Sequence, residues 1–452
     1  MTRVKSHVFH RHIHSQLPVA LRGEGPYIID QNHKRYIDGS GGAAVSCLGH
    51  NHPDVISAIK EQLDAIPFAH TAFFSNLALE GLADHLVAEA PGNLDHVYIV
   101  SGGSEAIEAA LKLARQYYVE KGEPKRRFFI SRRQSYHGNT LGALATGGNF
   151  WRREPFNPLL FETHHIAPCY AYRNQEVNES DVAYGLRTAD ELEDKILELG
   201  SENIIGFVAE PVVGATLGAV PSTSRYFQRI REICDRYGIL LILDEVMCGI
   251  GRTGSLFAFE QDGIVPDLVV MAKGLGAGYQ PIGALMVDSR IYQVIRDGTG
   301  FFQHGHTYLG HATACAAALA VQQVIKRDGL IGRVQELGTA LRRMLEERFL
   351  EHPHVGDIRG RGLFLGLEFV EDRANKTPFS SRLLFHQVLK STAMEQGLIC
   401  YPMGGTIDGR NGSHVLLAPS FILSNDQLGE IVDKLASAID ATVVSIRGIK
   451  SF

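Results

Sequence analysis

Three short apolar runs, each ending on a polar residue, do most to limit what this chain can fold into. Val97–Val100 leads into Ser101, Ile239–Leu243 into Asp244, and Leu268–Ala272 into Lys273. Further runs at Arg127–Ser131, Gly206–Ala209 and Gly283–Val287 extend the series, with helical patterns such as Glu105–Val119 and Ser224–Tyr237 between them. Apolar runs of strand length alternating with helices predict an α/β fold: a mostly parallel sheet covered by helices on both faces. In such sheets ligands bind beyond the carboxyl ends of the strands, so the residues that end the runs are the ones to inspect.

At 452 residues the chain exceeds one typical domain. We expect an N-terminal arm and small hairpin over residues 1–55, packing with the small domain. A large α/β domain over 56–325 and a smaller α+β domain over 326–452 follow. The hairpin is read from Tyr27–Asp30 and Arg35–Asp38, joined by a polar turn. Residues 150–190 read as a long, turn-rich insertion, a length usually reserved for function or interfaces. Beyond 326 the pattern gives helices at Val334–Phe349 and Leu383–Gln396 and strands at Gly362–Val370, Leu398–Tyr401 and Val415–Ala418. A last helix opens on a capping box of Ser424 and Gln427.

Composition removes several function classes. A net charge of −6 argues against nucleic acid or an anionic membrane as partner, since either wants a basic footprint. No run approaches the roughly 18 apolar residues of a membrane span. The N-terminus lacks an export signal's apolar core, and six scattered cysteines without a C-x-x-C pair read as reduced thiols, so a cytoplasmic location is expected. His7, His10, His12 and His14 have ligand-like spacing but lie at a terminus, where a coordination shell is hard to hold; no metal is expected.

The strand-end residues each admit two readings. Lys273, followed by Gly274, Gly276 and Gly278, either snorkels to solvent or forms an imine with an aldehyde cofactor such as pyridoxal phosphate. Asp244 needs a charged partner, which a protonated pyridine nitrogen would supply. Glu210 ends an earlier strand, stopped by Pro211, and faces the same rim. Ser101-Gly102-Gly103-Ser104-Glu105 opens a helix and is either an anion site for a phosphate or a plain tight turn. Its spacing is not G-x-G-x-x-G, which argues against a nicotinamide dehydrogenase. Tyr136, beyond the run Arg127–Ser131, either stacks on a planar cofactor or packs in the core.

Taken in order, Ser-Gly-Gly-Ser-Glu-Ala at 101–106, Tyr-His-Gly at 136–138, Glu-Pro-Val at 210–212, Asp-Glu-Val at 244–246, Ala-Lys-Gly at 272–274 and His-Thr-Tyr at 306–308 form one set. Over residues 25–445 the chain resembles the class III, or omega-amino-acid, aminotransferases of the fold-type I pyridoxal phosphate enzymes. The resemblance implies that Lys273 holds the cofactor as an aldimine and shuttles the proton. Asp244 would pair with the pyridine nitrogen, with Tyr136 and Val246 on the two ring faces and His137 beside Tyr136. Ser101, Gly102, Gly103 and Ser104 would bind the phosphate, joined by Thr307 of a neighbouring subunit, which implies a homodimer and leaves a tetramer open.

For substrate, the resemblance implies that Glu210 holds a mobile arginine that receives a carboxylate. By position that is Arg410, with Arg359 and Arg361 as rivals. Small residues over Gly41–Ser46, Ala44 among them, suggest a roomy donor pocket partly lined by Tyr27, Phe73 and Phe74. The expected activity is transfer of an amino group from an amine, omega-amino acid or amino acid to a 2-oxo acid such as pyruvate or 2-oxoglutarate, by ping-pong half-reactions. An aminomutase or decarboxylating relative keeps the same signature. A non-catalytic binding protein is disfavoured, because a retired site has no reason to keep a buried lysine near a buried carboxylate.

Overall fold

The computed structural model describes residues 7–15 and 17–449. Seven strands build the central sheet: β1 (Leu94–Val100), β2 (Phe128–Arg132), β3 (His164–Ile166), β4 (Ile204–Ala209), β5 (Leu240–Asp244), β6 (Leu268–Met271) and β7 (Gly283–Asp288). Their spatial order is β1-β7-β6-β5-β4-β2-β3. Pairings from β6 across to β3 are all parallel, and β7 runs antiparallel to both of its neighbours. The sheet is therefore mostly parallel, as the apolar runs require.

Alternation along each strand explains why both faces are covered. Leu240 and Ile242 pack with Ala106, Ala110 and Ala114 of helix α1 (Gly103–Glu120). Leu241 and Leu243 join Phe227 and Ile230 of helix α2 (Tyr226–Tyr237) on the other face. Successive side chains point to opposite sides, so an unbroken apolar run buries two layers at once. The alanine stripe of α1 has a further effect. Small side chains let a helix lie close to the sheet, which brings the start of α1 down to the strand ends.

A second sheet is antiparallel throughout and uses Val355–Arg361, Phe364–Phe369, Ser413–Leu417 and Tyr401–Gly404. The expected strand Leu398–Tyr401 is split. Leu398–Ile399 pairs in parallel with Arg35–Asp38 of the N-terminal hairpin, while Tyr401–Gly404 enters the second sheet. Cys400 is the junction, and one apolar run thus serves two sheets, which periodicity alone does not reveal. The insertion contributes the edge strand β3, a three-residue run with two histidines that carries no strand signal of its own. At the final helix Gln427 N–H donates to Ser424 Oγ at 3.3 Å and Ser424 N–H donates to Gln427 Oε1 at 2.9 Å, the reciprocal pattern of a capping box. Among the described residues no helix is long and apolar enough to cross a membrane.

Candidate active site

The carboxyl ends of β1, β4, β5 and β6 open on a cavity of about 400 Å³. Ser101 to Ser104, Tyr136, His137, Glu210, Asp244, Val246 and Lys273 all line it. That volume is within the range of a small-molecule or cofactor site. Residues separated by up to 172 positions meet because parallel strands place all their carboxyl ends on one edge.

Lys273 follows β6 and adopts φ +44, a left-handed conformation that an L-residue takes only under constraint. Burial lowers the pKa of its amine from 10.5, with Asp244 and Glu210 acting in the opposite direction. Asp244 ends β5 level with Val270 of β6, so the two strand ends share one rim. Its Oδ1 accepts the Val246 N–H at 3.0 Å, and its Oδ2 meets His137 Nδ1 at 2.9 Å. His137 is buried, and its Nε2 has no hydrogen-bond partner among the described residues.

Glu210 is buried and accepts N–H groups from Tyr136 at 3.0 Å and Gly214 at 2.9 Å. Burial pushes its carboxyl pKa up, and the charge of Asp244 adds to this, against the opposing effects of His137 and the two N–H donors. Contrary to the expected pairing, no arginine forms an ion pair with Glu210; among the described residues its carboxylate is held by backbone alone. At the start of α1, Ser104 Oγ accepts the Asn139 N–H at 3.0 Å. Gly138 sits opposite at φ +139, where a Cβ would come within 2.6 Å of that oxygen, so only glycine fits the turn. The first N–H groups of α1 have no intrahelical acceptor and face the cavity end of the helix.

Several expected residues lie elsewhere. Tyr27 is a correction: it is buried in the hairpin, donates to Glu430 at 2.7 Å and carries Arg35 on its ring, so it does not line this cavity. Ala44 packs with Val212, Ala215 and Met247 behind the wall, and its neighbour Val45 reaches the cavity instead. Phe73 and Phe74 are 79% and 68% exposed, on a surface of this chain rather than in its cavity. Thr307 is exposed as well. Arg410 is exposed and pairs with Glu154 at 3.0 Å. Arg359 is buried in a separate network with Glu368 and Asp357, and Arg361 pairs with Asp262. Sequence reading covered Val45 only within the stretch Gly41–Ser46, and it missed Met247 and Gln280 as lining residues and the bond between His137 and Asp244. The only available signal for that bond was the adjacency of His137 to Tyr136.

Residues 9–439 match the aminotransferase class-III family. The chain belongs to the class III aminotransferases. It is 43% identical over 443 residues to an uncharacterized aminotransferase of Schizosaccharomyces pombe, covering 98% of this chain and 96% of that one. Among solved structures it resembles an (S)-enantioselective omega-transaminase from Thermomicrobium roseum, with TM-score 0.89, 35% identity and coverage of 94% and 93%. It also resembles the omega-transaminase of Pseudomonas jessenii in complex with PMP, with TM-score 0.90, 33% identity and coverage of 95% and 94%. The likeness extends to the whole architecture, so this is a fold-type I enzyme.

Class III aminotransferases depend on pyridoxal 5'-phosphate, and the residues present fit that group. Asp244 retains lone-pair capacity beyond its two bonds, enough to accept a pyridinium N–H. The open N–H groups at the start of α1 suit a phosphate, and the Lys273 amine is the group an aldehyde requires.

Proposed function

We propose that the protein transfers an amino group from an amine, omega-amino acid or amino acid to a 2-oxo acid, with Lys273 as covalent anchor and proton carrier. The observation that carries this reading is the lysine itself: a strained residue with a lowered pKa, facing one cavity with two carboxylates. When bound, pyridoxal phosphate supplies an electron-poor ring that accepts density from the substrate carbon bearing the amine. Lys273, whose amine pKa burial lowers, would take the proton from that carbon and return it one position away. Asp244 would keep a proton on the ring nitrogen, and His137 fixes the Asp244 carboxylate. Gly103 and Ser104 would hold the phosphate, while Tyr136 and Val246, which line the same cavity, would bracket the ring. Use of this one cavity by donor and acceptor in turn supports ping-pong kinetics.

Thr307, Tyr308, Phe301, Phe73, Phe74 and Leu77 are all exposed. Phe68 makes an edge contact with the Tyr308 ring at 5.7 Å, tying the segment before Phe73 to the loop of Thr307. An apolar surface of this kind supports a homodimer in which Thr307 completes the partner's site. The six cysteines are free, five of them buried, which supports a reducing, cytoplasmic setting.

The deciding experiment incubates the purified protein with pyridoxal phosphate, a panel of amines and amino acids, and pyruvate or 2-oxoglutarate. A keto product with matching alanine or glutamate is expected, along with visible absorbance that Lys273→Ala abolishes. An isomerised or decarboxylated product formed without any acceptor would overturn the aminotransferase reading.

A further inference from the structure

The cavity has a charge problem that its own wall does not solve. Among the described residues Lys273 is the only lysine or arginine lining it, alongside the acidic Asp244 and Glu210. A substrate bearing a carboxylate therefore needs a cation from beyond the wall. Arg410 pairs with Glu154, Arg361 with Asp262, and Arg359 with Glu368 and Asp357. Arg252 is buried and donates to the carbonyls of Leu363 and Pro419.

Arg152 differs from all of these. It is half-buried, and its guanidinium makes no hydrogen bond or ion pair to any described residue, whereas every other buried or half-buried arginine donates at least one. It lies 5.0 Å from the centre of the Tyr136 ring, which itself lines the cavity. Its backbone is anchored: the Arg152 N–H donates to Asn149 Oδ1 at 3.2 Å, leaving the side chain to move on a fixed base. The hydroxyl of Tyr136 has no described hydrogen-bond partner either. A guanidinium with unused donors thus lies against a ring that lines the cavity.

We propose that Arg152, lying on the Tyr136 ring, receives the carboxylate of the amino acid or 2-oxo acid that reacts at Lys273. The assignment rests on the aminotransferase reading, and it names carboxylate-bearing substrates as the class the site selects. The planar fork of arginine suits a carboxylate through two parallel bonds.

The test uses holoenzyme carrying Arg152→Gln, Arg152→Lys or Arg410→Ala. Steady-state kinetics are measured with pyruvate and 2-oxoglutarate, and half-reactions with 1-phenylethylamine and butanal, which lack a carboxylate. Succinate binding is followed by calorimetry. Arg152→Gln is expected to raise KM for the 2-oxo acids about 10–100-fold, the loss of a charge-assisted hydrogen bond, with kcat and the carboxylate-free half-reactions unchanged. It should also abolish succinate binding. Arg152→Lys, which keeps the charge but not the fork, should fall between and carries the test if the glutamine variant does not fold. Unchanged KM and succinate affinity would overturn the proposal. So would equal slowing of the carboxylate-free reactions, which marks a structural role through Tyr136, or transfer of the effect to Arg410→Ala. If the wild type binds succinate through Arg152 but transaminates nothing, the aminotransferase reading falls and the receptor stands.

Discussion

Two buried glutamates in this molecule are treated in opposite ways. Glu368, on the strand Phe364–Phe369, is fully buried. It accepts from Arg359 at 2.6 Å, from Arg173 at 2.6 and 2.8 Å, and from the Tyr170 hydroxyl. Burial acts to raise its pKa, but the two arginines outweigh that and the net shift is downward. Glu210, at the end of β4, is equally enclosed yet has only two backbone N–H donors, and its net shift is upward. The first carboxylate is a settled ion cluster tying the insertion to the second sheet. The second is left short of countercharge beside Asp244 and Lys273. Where the fold is only holding itself together it satisfies its charges; where it lines the cavity it withholds a partner.

This contrast can be broken in four places. The largest effect is expected at Lys273→Ala, where transamination should fall by about 10⁴-fold, the upper end for a lost acid–base group. The unfolding midpoint of the cofactor-free protein in urea should hold or rise, since a lysine with a lowered pKa is not stabilising when charged. Next comes Glu368→Gln, which strands two arginines beside a neutral amide. We expect a loss of about 3–5 kcal/mol in urea unfolding, with activity per folded molecule retained.

Acid titration sharpens the same pair. Because the folded pKa of Glu368 lies below its ordinary 4.5, its contribution is present above that value and lost as the pH falls through the folded pKa. Glu210 has the reverse sign. Its folded pKa lies above 4.5, so its contribution is present below that value and lost as the pH rises through the folded pKa. Glu210→Gln should accordingly gain on the wild type as the pH climbs above 4.5, in urea midpoints recorded across the range. A variant whose stability runs parallel to the wild type at all pH values would remove Glu210 from the contrast. The smallest effect is expected at Arg410→Ala. Its pair with Glu154 is solvent-exposed, so stability should change by no more than about 0.5 kcal/mol.

Much of the site was legible in the sequence because its logic is local. An apolar run that ends on Asp244 or Lys273 places that residue at the sheet's carboxyl edge wherever the strand sits in the order. Ser101 to Ser104 opened a helix for the same reason. Tyr27, by contrast, was misread because an aromatic at a strand start reads alike whether it faces a ligand or, as here, Glu430. The split of Leu398–Tyr401 between two sheets was likewise invisible, since both halves are apolar and extended.

What the sequence determined by itself is therefore the α/β layering and the set of strand-end residues, through the two-residue alternation and the positions where it stops. Tertiary structure alone decided which charges are paired. His137 joins Asp244 across 107 positions, Arg410 is taken by Glu154, and the Arg152 guanidinium is left with no hydrogen-bond or ion-pair partner among the described residues, only the Tyr136 ring. Ion pairs form between side chains that packing brings within a few ångströms, and no spacing along the chain records that distance.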